Sequence, residues 1–536
     1  MKTGPAVWAM DRAGEQSRMA INRREANSSR TRRRLPTGFW VGALLILALI
    51  LRLAWLAYTG YVEEDAFITF RIARQLAGGN GFVYNLGERV DGTTTPLFTL
   101  LLTAWLKLDA NIVLGARILD LAFELGTLLL VQQTLKYLGR STAEQVGVLV
   151  LLAISSKLIN METQGMETPL VLFLMAAAWY AQARGRAVWA GVLTGLLLLT
   201  RMDLFLWPLV LAIATALTDW KAAVRLVLAT ACIFLPWVIF STAYFGSPIP
   251  YTITAKWVAY IQFNHSPLIN HFLKVVGYLT PFYVPFPDWR NALPVVLTLG
   301  VATAGTIQTR RERLLMILPA FVLLDVTRLV LTRATFANRY FIPALWMVLI
   351  LAGLAAGRLW EYSRRKPTAE KAGMRAAILL ALVAFVLLGF AQASDSRLTQ
   401  TYLNQQALTA IGVWLHQHTS PGATVELEPL GYVGYYADRT MLDEVGLVTP
   451  AVVAMKLRRI PGDTYFSYLN PDFLVLHCDD ALRMQGELGG LDTGLAAAYL
   501  RVEQFNPLNF NPPHPDAGAP LAALARISCY EIWQRK

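Results

Sequence analysis

The chain is short of charge. Only 16% of its 536 residues are Asp, Glu, Lys or Arg, against about a quarter in an ordinary soluble domain. That deficit excludes one or two plain soluble domains. The 55% hydrophobic content and mean hydropathy of +0.43 exclude disorder over the whole chain. Cysteine is scarce as well, with three residues, and the six histidines show no metal-ligand spacing. No Gly-x-Gly-x-x-Gly follows a strand, and no Gly-rich loop ends in Lys-Ser/Thr, so neither common nucleotide-binding signature is available. There is no internal repeat and no low-complexity tract. What remains is a polytopic α-helical membrane protein with a soluble part.

The formal net charge of +12 is a nucleic-acid signal only if it lies on a soluble face. It does not. Residues 1–36 hold nine basic against three acidic side chains and read as a basic, disordered cytoplasmic tail. An apolar run from Phe39 to Tyr58 follows, long enough to span a bilayer at roughly 20 residues. Further apolar segments lie near 112–135, 144–160, 167–183, 187–200, 203–217, 222–243, 291–308, 314–331, 339–357 and 375–393, giving about eleven spans. Pro96–Leu106 is too short to cross. Treating it as an interfacial or re-entrant helix puts fifteen basic against five acidic residues on the cytoplasmic connections, as the positive-inside rule requires. The N-terminus is then inside and the C-terminus outside.

This division predicts a transmembrane domain over 37–393, with a long outer loop at 59–111, and an extracytoplasmic α/β domain over 394–536. In that last domain Ala423–Glu426, Phe473–His477 and Arg526–Trp533 read as strands, and Leu408–His416 and Leu495–Gln504 as helices. Ten basic against fifteen acidic residues make it a poor partner for nucleic acid. Cys232 falls within a span. Cys478 and Cys529 both lie in the outer domain, where an oxidising compartment permits a bridge, and their pairing stays open.

Chemistry concentrates in the first outer loop. Glu63, Glu64 and Asp65 follow the first span directly, and three adjacent carboxylates repel unless they are solvated or partnered. A helix-compatible stretch with Arg71 and Arg74 comes next, then Gly78-Gly79-Asn80-Gly81 and the Thr93-Thr94-Thr95-Pro96 run. Within the spans, Arg117, Asp120 and Glu124 share one helix face, as do Asp325 and Arg328, and each set contains its own countercharge. Glu162 and Glu167 flank Gly165-Met166 in an outer loop. Gly431-Tyr432-Val433-Gly434-Tyr435-Tyr436 is glycine- and aromatic-rich, suited either to sugar stacking or to a strand–turn–helix with core tyrosines.

The stretch from Glu64 to Leu101 resembles the first loop of the GT-C glycosyltransferases, closest to the arabinofuranosyltransferase-like branch. Shared features are the paired acid before Ala66-Phe67-Ile68-Thr69-Phe70-Arg71, then Gly79-Asn80-Gly81, Asn85-Leu86-Gly87-Glu88 and the Gly92–Thr99 run. Gly165-Met166-Glu167-Thr168-Pro169, Arg201-Met202-Asp203, Tyr244–Pro250, Arg339-Tyr340 and Gly431–Tyr436 with Asp443–Pro450 extend the likeness to about residue 480. The family's usual Asp-Asp is Glu64-Asp65 here.

The resemblance implies a GT-C-like membrane fold and inverting transfer of a sugar, arabinofuranosyl first, from a polyprenyl-phosphate donor. The acceptor would be a cell-envelope glycan or lipid-linked glycan at the outer face of the bacterial cytoplasmic membrane. It carries the base over to Asp65 or Glu64, with Asp65 preferred. Arg201, Arg339 and Lys256 are the candidates for the donor phosphate, although each could equally snorkel to headgroups. Glu167, Asp203, Arg71 and Tyr435 are candidates on the acceptor side. No cofactor is implied beyond a divalent metal, which stays open. The competing classes are a lipid or glycan transporter, which would show broken helices in two halves, and a non-catalytic glycan-binding scaffold.

Overall fold

The computed structural model describes residues 37–282, 292–335, 337–364, 366–509 and 520–536. The tail predicted over 1–36 lies outside them. Of the first compact unit, Met1–Ala43, residues 37–43 open a helix. Leu44–Lys536 form the second.

All eleven predicted apolar segments are helical, from α1 (Thr37–Thr59) onward. Among the described residues five helices are long and apolar enough to cross a membrane, at 37–59, 220–245, 292–309, 313–331 and 338–363. Thr142–Ile154 and Ser156–Glu162 make a sixth if taken together, bent by 61°. Thr168–Ala183 and Ala187–Thr200 are apolar but have 16 and 14 residues. At about 1.5 Å per residue they fall short of a ~30 Å hydrocarbon core. Pro96–Leu106 is an 11-residue helix, as its length predicts.

The loop after α1, predicted to lie outside, folds as helix α2 (Glu64–Ala77), which ends at Gly78. Glu64 and Asp65 fill its first turn, where negative charge suits the helix dipole. An irregular segment then leads to Pro96–Leu106.

One of the two expectations about buried charge changes. Arg117, Asp120 and Glu124 do not pair among themselves. Arg117 donates to the Gly60 carbonyl, and Asp120 accepts from the Gly165 N–H. Glu124 instead meets Arg52 at 2.9 Å, and Arg52 also binds Glu162 at 2.8 Å. Helix periodicity shows which residues share a face but not which neighbouring helix supplies the partner. Asp325 and Arg328 do pair, at 2.6 Å.

The helix at Thr368–Leu398 does not stop at the predicted boundary of 393. It continues through a π-helical run, Thr399–Thr409, into Ala410–His418. Beyond it lies a five-stranded sheet: β1 (Thr424–Leu427), β2 (Thr440–Asp443), β3 (Phe473–His477), β4 (Tyr499–Phe505) and β5 (Tyr530–Arg535), in the order β2-β1-β3-β5-β4. β1 is parallel to β2 and β3, and β5 is antiparallel to β3 and β4. The helix expected over Leu495–Gln504 is only Leu495–Ala498 followed by β4. The strand expected over Arg526–Trp533 begins at Tyr530, after a helix ending at Ile527. Pairing with β5 overrides local propensity in both places. Cys478 and Cys529 are bridged, tying the end of β3 to the start of β5.

This sheet locks onto the first outer loop. Arg71 donates to the carbonyls of Tyr84 (3.0 Å), Gly434 (2.6 Å) and Arg439 (2.6 Å). Asn85 exchanges two hydrogen bonds with the Met441 backbone. The Tyr84 hydroxyl donates to the Leu430 carbonyl, and that of Tyr432 to the Val62 carbonyl. The helix Leu430–Ala437 crosses α2 closely because Gly431 and Gly434 have no Cβ. A Cβ on Gly431 would lie 2.0 Å from the Glu64 carbonyl oxygen, and one on Gly434 1.8 Å from the Tyr84 hydroxyl. At Gly431 the obstacle is backbone, so a side chain there would force the two helices apart; at Gly434 it would displace the Tyr84 hydroxyl.

Candidate active site

A cavity of about 500 Å³ opens where the start of α2 faces the sheet. Glu63, Glu64 and Asp65 line one wall, Lys256, Tyr260, Asn338 and Arg339 another. Met166 and Thr168, from the Gly165 loop, contribute below them. Glu428, Leu430, Val445, Leu447 and Tyr530 close it from the sheet.

The three acids are held differently. Glu63 accepts from the Tyr61 hydroxyl at 3.1 Å. Burial raises its carboxyl above the usual range, and the neighbouring Asp65 charge adds to this. Glu64 accepts the Gly431 N–H. Burial, then Asp65, push it well above the ordinary carboxyl value. Burial acts on Asp65 in the same direction, but the positive charges of Arg339 and Lys256 outweigh it and leave Asp65 below its ordinary value. Its partner is Arg339, whose Nη2 lies 2.6 Å from Asp65 Oδ2. The site thus shifts these two adjacent acids in opposite directions, Asp65 down and Glu64 up, a separation that suits acid–base chemistry.

Arg339 stands on a 3₁₀ turn, Asn338–Phe341. Arg201 fixes that turn from behind. It chelates Asp203 through two bonds of 3.0 and 2.6 Å and donates to the Arg339 carbonyl at 3.1 Å. Only 3% of Arg201 is exposed, and neither it nor Asp203 lines the cavity. Arg201 therefore positions Arg339 and does not itself face a ligand, and Asp203 is its counterion. Lys256 does line the cavity.

Three of the acceptor-side candidates lie outside the cavity lining. Arg71 is buried and spends its guanidinium on the three carbonyls that join loop to sheet. Tyr435 packs edge-on to Phe67 and beneath Arg74, whose guanidinium carbon is 4.4 Å from the ring centre. Glu167 is buried behind the wall, within electrostatic reach of Arg201 and Arg339. None of the three lines the cavity. A sequence motif marks that these residues matter together, but not which of them turn inward.

Sequence reasoning missed Glu428, Tyr260 and Tyr530. Glu428 stands two positions beyond the run read as a strand and directly after β1, and the carboxyl end of a parallel strand is a common site. That signal needed the sheet topology to be usable. Among the described residues no group of three His, Cys, Asp or Glu side chains is placed to hold a metal ion.

A family model described as a domain of unknown function (DUF8728) matches residues 398–530. Over 280 residues the chain is 27% identical to the terminal beta-(1->2)-arabinofuranosyltransferase of Mycobacterium tuberculosis, a match covering 47% of this chain and 42% of that protein. It thus spans less than half the length of that curated relative. Two solved structures of ArnT from Cupriavidus metallidurans, one bound to undecaprenyl phosphate and one apo, match with TM-score 0.57 at 15% identity. The first match covers 83% of this chain and 94% of ArnT, the second 84% and 95%. At that identity the likeness establishes the fold, a helical membrane fold shared with ArnT. The resemblance to GT-C glycosyltransferases of the arabinofuranosyltransferase-like branch, read from the loop motifs, is borne out.

Proposed function

We propose that this chain is an integral-membrane inverting glycosyltransferase. It moves a sugar, arabinofuranosyl in the first place, from a polyprenyl-phosphate donor to a cell-envelope glycan or lipid-linked acceptor. It works at the outer face of the bacterial cytoplasmic membrane, with the N-terminus cytoplasmic, about eleven spans over 37–393 and the domain over 394–536 outside. What carries the reading is the ionised Asp65 paired with Arg339 beside Lys256 in one cavity. The neighbour bound to undecaprenyl phosphate supports a polyprenyl-phosphate donor.

In the reaction the acceptor hydroxyl oxygen bonds to the anomeric carbon as the bond from that carbon to the phosphate oxygen breaks. The hydroxyl proton passes to Asp65. The electron pair of the broken bond stays on the phosphate, whose growing charge Arg339 and Lys256 neutralise. An ion-paired aspartate is a weak base, so the Asp65–Arg339 pair is the resting arrangement. An arriving phosphate competes for the Arg339 fork. As Arg339 turns toward it, Asp65 loses countercharge and gains basicity at the moment it is needed.

The test replaces Asp65→Asn and Glu64→Gln separately and measures transfer from a radiolabelled polyprenyl-phosphate sugar in membranes. If both variants insert normally and transfer like the parent, the assignment of the acids is lost. If the parent transfers no sugar but moves lipid across vesicles, the chain is a transporter.

A further inference from the structure

The cavity has two sources. One wall belongs to the membrane part and its outer loop, the other to the sheet within the segment matched by a domain family of unknown function. The sheet presents one particular edge. Glu428 follows the last residue of β1, Val445 and Leu447 follow β2, and Tyr530 pairs with His477 at the carboxyl end of β3. From β1 the chain moves to β2 on one side, then returns past β1 to β3 on the other. Chain connections diverge at such a point and leave a crevice outside the carboxyl ends of the strands, where open α/β sheets bind ligands. Here that crevice is the upper part of the cavity.

The four carboxylates in the cavity are not equivalent. Glu63 takes the Tyr61 hydroxyl, Glu64 the Gly431 N–H and Asp65 the Arg339 guanidinium. Glu428 has no hydrogen bond or ion pair among the described residues, and its residue is exposed within the cavity. A free carboxylate repels a phosphate but accepts hydrogen bonds from a neutral polyol, two adjacent hydroxyls at a time. The domain it stands on carries five more acidic than basic residues, which disfavours an anionic ligand on this side. The cations of the cavity, Lys256 and Arg339, come from outside this domain.

We propose that Glu428 is the acceptor-binding carboxylate of the cavity, gripping hydroxyl groups of a neutral oligosaccharide so that one of them faces Asp65. The proposal rests on the glycosyltransferase reading for the direction of transfer, and it gives the 398–530 segment a role, that of completing the site.

Equilibrium binding and steady-state transfer test it with the full-length protein in detergent. The probes are an octyl-linked arabinofuranosyl disaccharide and undecaprenyl phosphate. Glu428→Gln is expected to weaken saccharide binding about tenfold and raise the acceptor KM to match, leaving undecaprenyl phosphate affinity and donor KM as in the parent. Glu428→Asp, which keeps the charge, is expected to recover part of the loss. Parent-like saccharide affinity in Glu428→Gln overturns the proposal. So does an equal loss of affinity for both probes, which assigns Glu428 a structural role. A parent that binds the disaccharide through Glu428 yet transfers no sugar refutes the enzyme reading and leaves Glu428 as a glycan-binding group.

Discussion

Asp65 meets Arg339 on the wall of a cavity, whereas Arg52 meets Glu124 and Glu162 where nothing can reach them. Arg52 is fully buried, with further hydrogen bonds to the carbonyls of Leu152 and Ala153, and the two glutamates are 2% and 4% exposed. Both clusters join acids to a guanidinium at hydrogen-bonding distance. Ionisable residues in membrane segments are functional candidates by default, and this pair of clusters shows where that default fails. Access separates them. One ion pair can exchange its partner for a ligand, and the other can only hold helices together. Glu426 on β1 gives a third case. It is 3% exposed, and its Oε2 lacks a hydrogen-bond partner among the described residues.

The comparison breaks most decisively at Asp65. Asp65→Asn should lower transfer by about 10²- to 10⁴-fold, the usual contribution of a general base, with the thermal melt of the purified protein unchanged. Arg52→Met should do the opposite. Removing the cation leaves two buried acids uncompensated, at a cost of about 3–5 kcal/mol. The yield of folded protein should collapse in detergent melts, while the folded remainder transfers sugar near the parent rate. If Arg52→Met instead folded well and lost transfer, the sealed cluster would be functional and the contrast drawn here would be wrong.

Smaller effects sharpen the contrast. Glu64 accepts the Gly431 N–H, a bond that an amide oxygen also accepts. Glu64→Gln should therefore retain transfer within about tenfold of the parent, far closer than Asp65→Asn. A larger loss would move the base to Glu64. The least effect concerns Glu426, whose carboxyl burial, then the Glu444 charge, push up to about 9. Below the ordinary value of 4.5 the folded and unfolded chains both hold the proton. Between there and about 9 only the folded chain does, so this term of stability is lost as the pH rises. The melting temperature should fall by a few degrees from pH 5 to pH 9, and Glu426→Gln should flatten that slope.

Much of the fold was legible because its signals are local. A run of apolar residues long enough to span, a charge bias on alternate connections and a proline-led short helix at 96 depend on nothing distant. The acid pair at 64–65 was legible through its neighbours in the loop. Arg201 and Arg339 looked alike in sequence, as cations at span ends. Only packing separated them, since Arg201 chelates Asp203 and Arg339 reaches Asp65 across 274 positions of the chain. Arg71 and Tyr435 are placed away from the cavity in the same way. A family-like motif and a structural clasp use the same residues, and direction decides between them. The strand at Tyr499–Phe505 was hidden because an edge strand owes its form to its partner, β5.

The sequence by itself settled that the chain is mostly apolar helix, that its net charge follows the connections between helices, and that reactive groups gather just after the first of them. Each depends on composition or on spacing within a few turns. The tertiary structure alone decided which acid meets a guanidinium, which arginine faces the cavity, and that a sheet some 360 residues downstream lines the same cavity. Those outcomes depend on burial and on partners brought together by folding. The field at Asp65 is the sum of groups that no local window contains.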